Sequence, residues 1–160
     1  MQEKLKIIVK KLEEQNKTIS TMESCTGGGL VNEFTNIEGA SQVLKFSAVT
    51  YSNEFKIKLG VSKDVIDKYS VYSKQTAIEM SKNISEFADS DYGIGITGKL
   101  NRIDVNNLYG DNSTVYVSIY DKNLDKFYNY DIIVNKTNRE ENKDMVIEFV
   151  IDKLLEILGD

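Results

Sequence analysis

The order of elements in this chain predicts an α/β fold, three layers α/β/α built on a mixed sheet that includes a C-terminal antiparallel hairpin. Three observations carry the prediction. Segments with helical apolar spacing alternate with short segments rich in β-branched residues, the pattern of a sheet covered by helices on both faces. The run Tyr92-Gly-Ile-Gly-Ile-Thr97 reads as a buried strand whose glycines allow another backbone to approach closely. From Thr114 to Tyr120 apolar Val115, Val117 and Ile119 alternate with Tyr116, Ser118 and Tyr120, and a turn then leads into a second strand-like run. With 160 residues and 41% apolar content, the chain is long enough to bury roughly two thirds of the surface its unfolded form exposes. One domain over residues 1–160 is expected.

Taken in order, Leu5, Ile8, Val9 and Leu12 recur at helical spacing and place an amphipathic helix over about residues 2–15. Residues 18–23 suit a short strand, ended by the small residues after it. A helix is predicted over about 27–36, although the three glycines Gly27, Gly28 and Gly29 weaken its first turn. After the Gly39-Ala-Ser41 break, residues 43–51 read as a strand, and Ser52 or Asn53 caps a short helix carrying Lys56. Ser73 opens a helix running to about Ala88, and the 92–97 strand comes next. Residues 98–113 are polar and irregular; 114–120 and 126–134 form the hairpin around the 121–125 turn. A closing helix over about 139–158 buries Val146, Phe149, Val150, Leu154, Ile157 and Leu158. No internal repeat, linker or low-complexity segment interrupts this order.

Composition narrows the chemistry. The net charge of -5 comes from interspersed Lys, Asp and Glu, which disfavours a nucleic-acid surface. No apolar run approaches the roughly 18 residues a membrane span needs, and the charged N-terminal segment is unlike a signal peptide; the cytoplasm is the expected compartment. The chain has no histidine and one cysteine, Cys25. A Ser-His-Asp triad, a Cys-His pair, an imidazole-ligated metal and an intrachain disulfide are therefore all excluded within it. No metal and no cofactor is expected.

Ser24 falls where a strand meets a helix start, so its hydroxyl would sit beside unpaired backbone N–H groups able to hold an oxyanion or a phosphate. The plainer alternative is that Ser24 or Thr26 is an N-cap and the glycines a tight turn. Without histidine, a serine nucleophile must draw its base from Lys, Asp, Glu, Tyr or Cys. Lys56 is one candidate, since burial depresses a lysine pKa toward neutrality, against the alternative of an ordinary solvated lysine. Tyr51 is either a packing residue or a proton relay. Cys25 lacks a cationic partner in sequence and reads more simply as small buried packing than as a nucleophile. Arg139, one of two arginines with Arg102, is either a helix-end salt-bridge residue or a clamp for phosphate or carboxylate.

Together these blocks resemble a known family. Glu23-Ser-Cys-Thr-Gly-Gly28, then Gly39-Ala-Ser41, Val49-Thr-Tyr-Ser-Asn-Glu-Phe-Lys56 and Leu59-Gly-Val61 resemble the C-terminal domain of the CinA (competence-damage-inducible) family, which includes nicotinamide mononucleotide deamidases. Val71-Tyr-Ser73, Gly95-Ile-Thr-Gly98, Thr114-Val115 and Arg139 continue the match over nearly the whole chain. The resemblance implies an α/β/α amidohydrolase that converts nicotinamide mononucleotide to nicotinic acid mononucleotide and ammonia in pyridine nucleotide salvage. It also implies Ser24 as nucleophile, Lys56 as its base and Tyr51 as a supporting polar group. Cys25, Thr26, Gly27, Gly28, Asn53, Thr97, Gly98 and Arg139 would then contact the substrate, a small pyridine nucleotide. The family domain often comes after a larger N-terminal domain, and a stand-alone version is expected here. Self-association is compatible with a domain of this size, and no stripe or patch marks an interface.

One block departs from the resemblance. Where the family carries a Gly/Pro-rich loop ending Lys-Pro-Val-Gly-Thr-Val, this chain keeps only Thr114-Val115 of that ending, after the polar stretch 99–113. The alternative reading is therefore a catalytically impaired relative that binds a nucleotide or a protein partner.

Overall fold

The computed structural model describes every residue of the chain except Ile103, Asn107, Tyr109, Gly110 and Asp160. The elements run α1 (Gln2–Glu14), β1 (Ile19–Glu23), α2 (Gly29–Thr35), a short 3-10 turn (Ala40–Gln42), β2 (Leu44–Val49), α3 (Asn53–Lys58), α4 (Lys63–Tyr69), α5 (Lys74–Ala88), β3 (Tyr92–Gly98), β4 (Thr114–Asp121), β5 (Lys126–Ile133) and α6 (Arg139–Leu158). The five strands form one sheet in the order β2-β1-β3-β4-β5. β1 is parallel to β2 and to β3, and β3, β4 and β5 pair antiparallel in succession. The mixed sheet, the hairpin and the three layers agree with the class read from the sequence.

The two-residue period of the strands divides the core in two. On one face α1, α2 and α6 cover Ile19, Ile94, Ile96, Val117 and Ile119 in the larger cluster. On the other face Met22 meets Met80 and Ile84 of α5 and Ile66 of α4. Glycines in β3 set how close α5 lies: a Cβ at Gly95 would stand 2.5 Å from the Ala77 carbonyl oxygen. The helix backbone therefore rests directly on the strand, and Ser81 of α5 reaches across to bond the Ser118 hydroxyl of β4 at 2.9 Å.

The elements depart from expectation in several places. The helix predicted over 27–36 begins only at Gly29, because Gly27 (φ 61) and Gly28 (φ 89) take left-handed conformations that glycine alone adopts without strain. The strand predicted over 43–51 stops at Val49, where the Thr50 N–H closes the ladder on the Glu23 carbonyl at 2.9 Å. The sequence reading has no counterpart to α4, which the Ser62 side chain caps by accepting the Val65 N–H. The irregular stretch expected over 98–113 holds from 99 onward at its described positions; its residues Ile103, Asn107, Tyr109 and Gly110 lie outside them.

Candidate active site

Three parallel strands end at the same side of the sheet, and the residues just beyond them gather there: Ser24 after β1, Tyr51 between β2 and α3, and Lys99 after β3. Open α/β sheets bind ligands outside the carboxyl ends of parallel strands for this reason, since loops from neighbouring strands converge there. A cleft of about 740 Å³ occupies the place, lined among others by Ser24, Cys25, Tyr51, Lys56, Gly98 and Arg139.

The turn after β1 is fixed by a buried carboxylate. Glu23 accepts from the Thr21 and Thr26 hydroxyls at 3.2 and 2.7 Å and from the Leu30 and Val31 N–H groups at 2.9 and 3.0 Å. It thus takes the N-terminal donors of α2 that Ser24 or Thr26 was expected to cap, and neither side chain caps the helix. The Gly27 N–H returns to the Ser24 carbonyl at 3.0 Å and the Gly29 N–H to the Thr26 carbonyl at 2.9 Å. Among the described residues, no backbone acceptor takes the N–H of Cys25 or of Thr26, and the Cys25 N–H faces its own thiol. The turn therefore places two amide N–H groups without a backbone acceptor directly after Ser24, of which Cys25 borders the cleft.

The other half of the site rests on an inverted helix. Ser52 caps α3 by accepting the Phe55 N–H at 3.3 Å, and this sets which face turns inward. Phe55 is 53% exposed and Ile57 37%, whereas Lys56 between them is 1% exposed. Burying the ammonium while exposing both apolar neighbours runs against the hydrophobic ordering of the three side chains. Lys56 Nζ lies 2.9 Å from Ser24 Oγ and 2.5 Å from the Thr50 carbonyl oxygen. Among the described residues no ion pair includes Lys56. Burial accordingly brings Lys56 down from 10.5 to about 8.

Cys25 does not change that balance. Burial pushes its thiol up to about 12, so near neutrality it is a neutral group beside Lys56 and not a thiolate that would hold the ammonium charged. The packing role wins over the nucleophilic one for the same reason.

The remaining predicted residues divide. Tyr51 is 67% exposed at the cleft mouth, and its hydroxyl accepts from the Arg139 guanidinium at 3.4 Å. Arg139 also donates to the Lys99 carbonyl at 3.4 Å, and among the described residues it joins no ion pair. Asn53 and Gly98 line the cleft. Thr97 does not: it is fully buried and its hydroxyl donates to the Val71 carbonyl at 2.9 Å, tying β3 to the segment before α5. Thr26 spends its hydroxyl on Glu23, and Gly27 and Gly28 shape the turn behind the cleft without lining it. Sequence reasoning gave no role to Glu23, Tyr72, Lys99, Arg102, Asp104 or Asn106, of which all but Glu23 line the cleft. One signal was present for Arg102: both arginines of the chain border the same cleft.

Among the described residues no group of three or more His, Cys, Asp or Glu side chains is placed to hold a metal ion. Among them, too, no helix is long and apolar enough to cross a membrane.

Fold and cleft together define a class: a three-layer α/β/α domain with a buried serine and lysine in contact where its parallel strands end. The chain belongs to the CinA C-terminal domain family, whose model matches residues 1–158. A CinA-like protein of Kosmotoga olearia is 44% identical over 93 residues, 58% of this chain. The chain spans less than a quarter of the length of the curated relatives it matches, 23% in that case. A competence/damage inducible protein, CihA, from Agrobacterium tumefaciens has the same fold with a TM-score of 0.88 at 22% identity, covering 99% of this chain and 95% of that one. A competence-damaged protein (CinA) superfamily protein from Escherichia coli superposes with a TM-score of 0.87 at 25% identity, covering 96% and 88%.

Proposed function

We propose that this domain is an amidohydrolase that deamidates nicotinamide mononucleotide through Ser24 and Lys56. The observation that carries the reading is the Lys56 ammonium, buried without a carboxylate and 2.9 Å from the Ser24 hydroxyl. A lysine titrating near 8 is neutral in about one molecule in ten at pH 7, enough to act as a base without histidine or metal.

In this mechanism neutral Lys56 takes the Ser24 proton as Ser24 Oγ attacks the carboxamide carbon. The charge that develops on the carboxamide oxygen falls to the N–H groups of Cys25 and Thr26, which have no backbone acceptor among the described residues. Lys56 then returns its proton to the leaving nitrogen and ammonia departs, leaving an ester on Ser24. Water, deprotonated by the same amine, cleaves that ester to the carboxylate and restores the serine. Arg139, held by Tyr51 and the Lys99 carbonyl, supplies a guanidinium for the substrate phosphate. The cleft borders on Arg102, Val105 and Asn106, so the stretch that departs from the family pattern still contributes a wall to it.

The test is ammonia release from nicotinamide mononucleotide by the wild type, Ser24→Ala and Lys56→Ala. Turnover by the wild type and its loss in both variants is expected. Absence of wild-type turnover at millimolar substrate overturns the activity, and undiminished turnover in Ser24→Ala overturns the mechanism.

A further inference from the structure

The wall that Lys99, Arg102, Asp104, Val105 and Asn106 give the cleft is held by contacts that the serine-lysine chemistry does not use. Tyr72 lines the cleft and is anchored on the smaller core, its ring packed against that cluster and its N–H donating to the Ser70 hydroxyl at 3.1 Å. From that anchored position its hydroxyl donates to Asp104 Oδ2. The other carboxylate oxygen of Asp104 accepts the Asn106 N–H at 3.0 Å. One tyrosine hydroxyl thus fixes a carboxylate that itself orders the next two residues, and Arg102, Val105 and Asn106 beside it all border the cleft.

A second set of contacts joins at the same ring. The Lys99 ammonium stands 5.1 Å from the Tyr72 ring centroid. It also donates to Asn112 Oδ1 at 3.2 Å and to the Leu108 carbonyl at 3.4 Å. The Asn101 N–H meets the Asn112 carbonyl at 2.6 Å, and Asn142 of α6 donates to the Leu100 carbonyl at 3.3 Å. The base of the stretch is therefore fastened to α6 and its far limb to Lys99. Its middle, over 104–106, is joined to the body of the domain through Tyr72. Burial, reinforced by the bond to Asp104, pushes the Tyr72 phenol well above its ordinary pKa, so the hydroxyl stays a donor across the working pH range.

We propose that Tyr72 and Asp104 form a clasp that positions the cleft wall of Arg102, Asp104, Val105 and Asn106 for substrate binding, which makes Tyr72 a positioning residue of the amidase site proposed above. The clasp lets a polar, irregular stretch keep a defined cleft wall without the glycine- and proline-rich loop of the family pattern. It acts on how well substrate is held, whereas the serine-lysine contact rests on the bonds from Lys56 Nζ to Ser24 Oγ and the Thr50 carbonyl.

Tyr72→Phe removes the hydroxyl and keeps the ring that packs on the core and on Lys99. Loss of a hydrogen bond to a carboxylate is expected to raise KM for nicotinamide mononucleotide about tenfold, with kcat within about twofold of wild type. Asp104→Ala should do the same, the double variant should add nothing further, and Asp104→Asn, which keeps an acceptor, should restore most of the loss. In the absence of substrate, trypsin should cut after Arg102 about tenfold faster in Tyr72→Phe and in Asp104→Ala than in wild type. Single effects that multiply in the double variant, a fall in kcat at constant KM, or an unchanged cut after Arg102 would each overturn the clasp. A wild type without turnover removes the amidase reading alone, since the tryptic arm needs no substrate and still decides the clasp.

Discussion

Protonation of Lys56 bears on both stability and chemistry, and replacing Lys56 by methionine separates the two. Burial brings its pKa to about 8, against 10.5 for a free lysine, a difference equivalent to about 3 kcal/mol of folding free energy. The sign comes from proton counts. Between pH 8 and pH 10.5 the unfolded chain keeps the Lys56 proton and the folded chain has released it, so stability rises with pH across that window. Below pH 8 both states are protonated and the full penalty for the buried charge applies; above pH 10.5 neither is, and the penalty is gone. Methionine fills nearly the same space without charge, so Lys56→Met supplies the reference in which this linkage is absent. Urea unfolding of both proteins at a series of pH values measures it, and subtracting one curve from the other cancels the remaining lysines and tyrosines. The unfolding free energy of wild type minus that of Lys56→Met should rise by about 3 kcal/mol between pH 7 and pH 10.5. Curves that run parallel would show that Lys56 titrates as a solvated lysine and would refute the premise of a depressed base.

Three further outcomes are expected from the packing around the site. Glu23→Gln leaves one acceptor oxygen for four donors and turns an NH₂ group toward one N–H of α2, whichever way the amide is oriented; a loss of about 2–3 kcal/mol in denaturant unfolding is expected, with lower kcat from a loosened Ser24 turn. Gly95→Ala drives a methyl group to 2.5 Å from a helix carbonyl, and because backbone cannot step aside the melting curve should report about 2–3 kcal/mol of destabilisation. Cys25, with its thiol pushed up to about 12, should react with a disulfide reagent at least about a hundredfold more slowly in native protein than in urea; comparable rates would place the thiol at the surface.

What the sequence could tell depended on the range of each interaction. Leu5, Ile8, Val9 and Leu12 announce α1 because all four face one core, and the β4 alternation announces the hairpin because Val115, Val117 and Ile119 share one face and join the larger core. α4 escaped notice because it buries only Ile66, too little for a period. The three glycines were read as a weak helix start, whereas two of them serve the turn before it. At the site, Ser24 and Lys56 were legible as residues through their resemblance to a family. Their contact was not, since a local reading of Glu-Phe-Lys-Ile-Lys buries Phe55 and Ile57 and leaves Lys56 in water. Thr97 fits the family string, yet its hydroxyl is used inside the fold. Tyr72 lies inside the matched Val71-Tyr-Ser73 string, but nothing in the sequence joined it to Lys99 or Asp104: they meet only when the segment before α5 comes up beside the stretch after β3, and no periodicity encodes that meeting.

If a neutral Lys56 activates Ser24, the pH dependence of kcat/KM on nicotinamide mononucleotide reports its titration. A tenfold rise per pH unit is expected below an inflection near pH 8, set by the depressed Lys56, with no turnover in Lys56→Arg, whose guanidinium stays charged throughout. A profile flat from pH 6 to pH 9, or a Lys56→Arg variant that keeps wild-type kcat/KM, would contradict that role for Lys56.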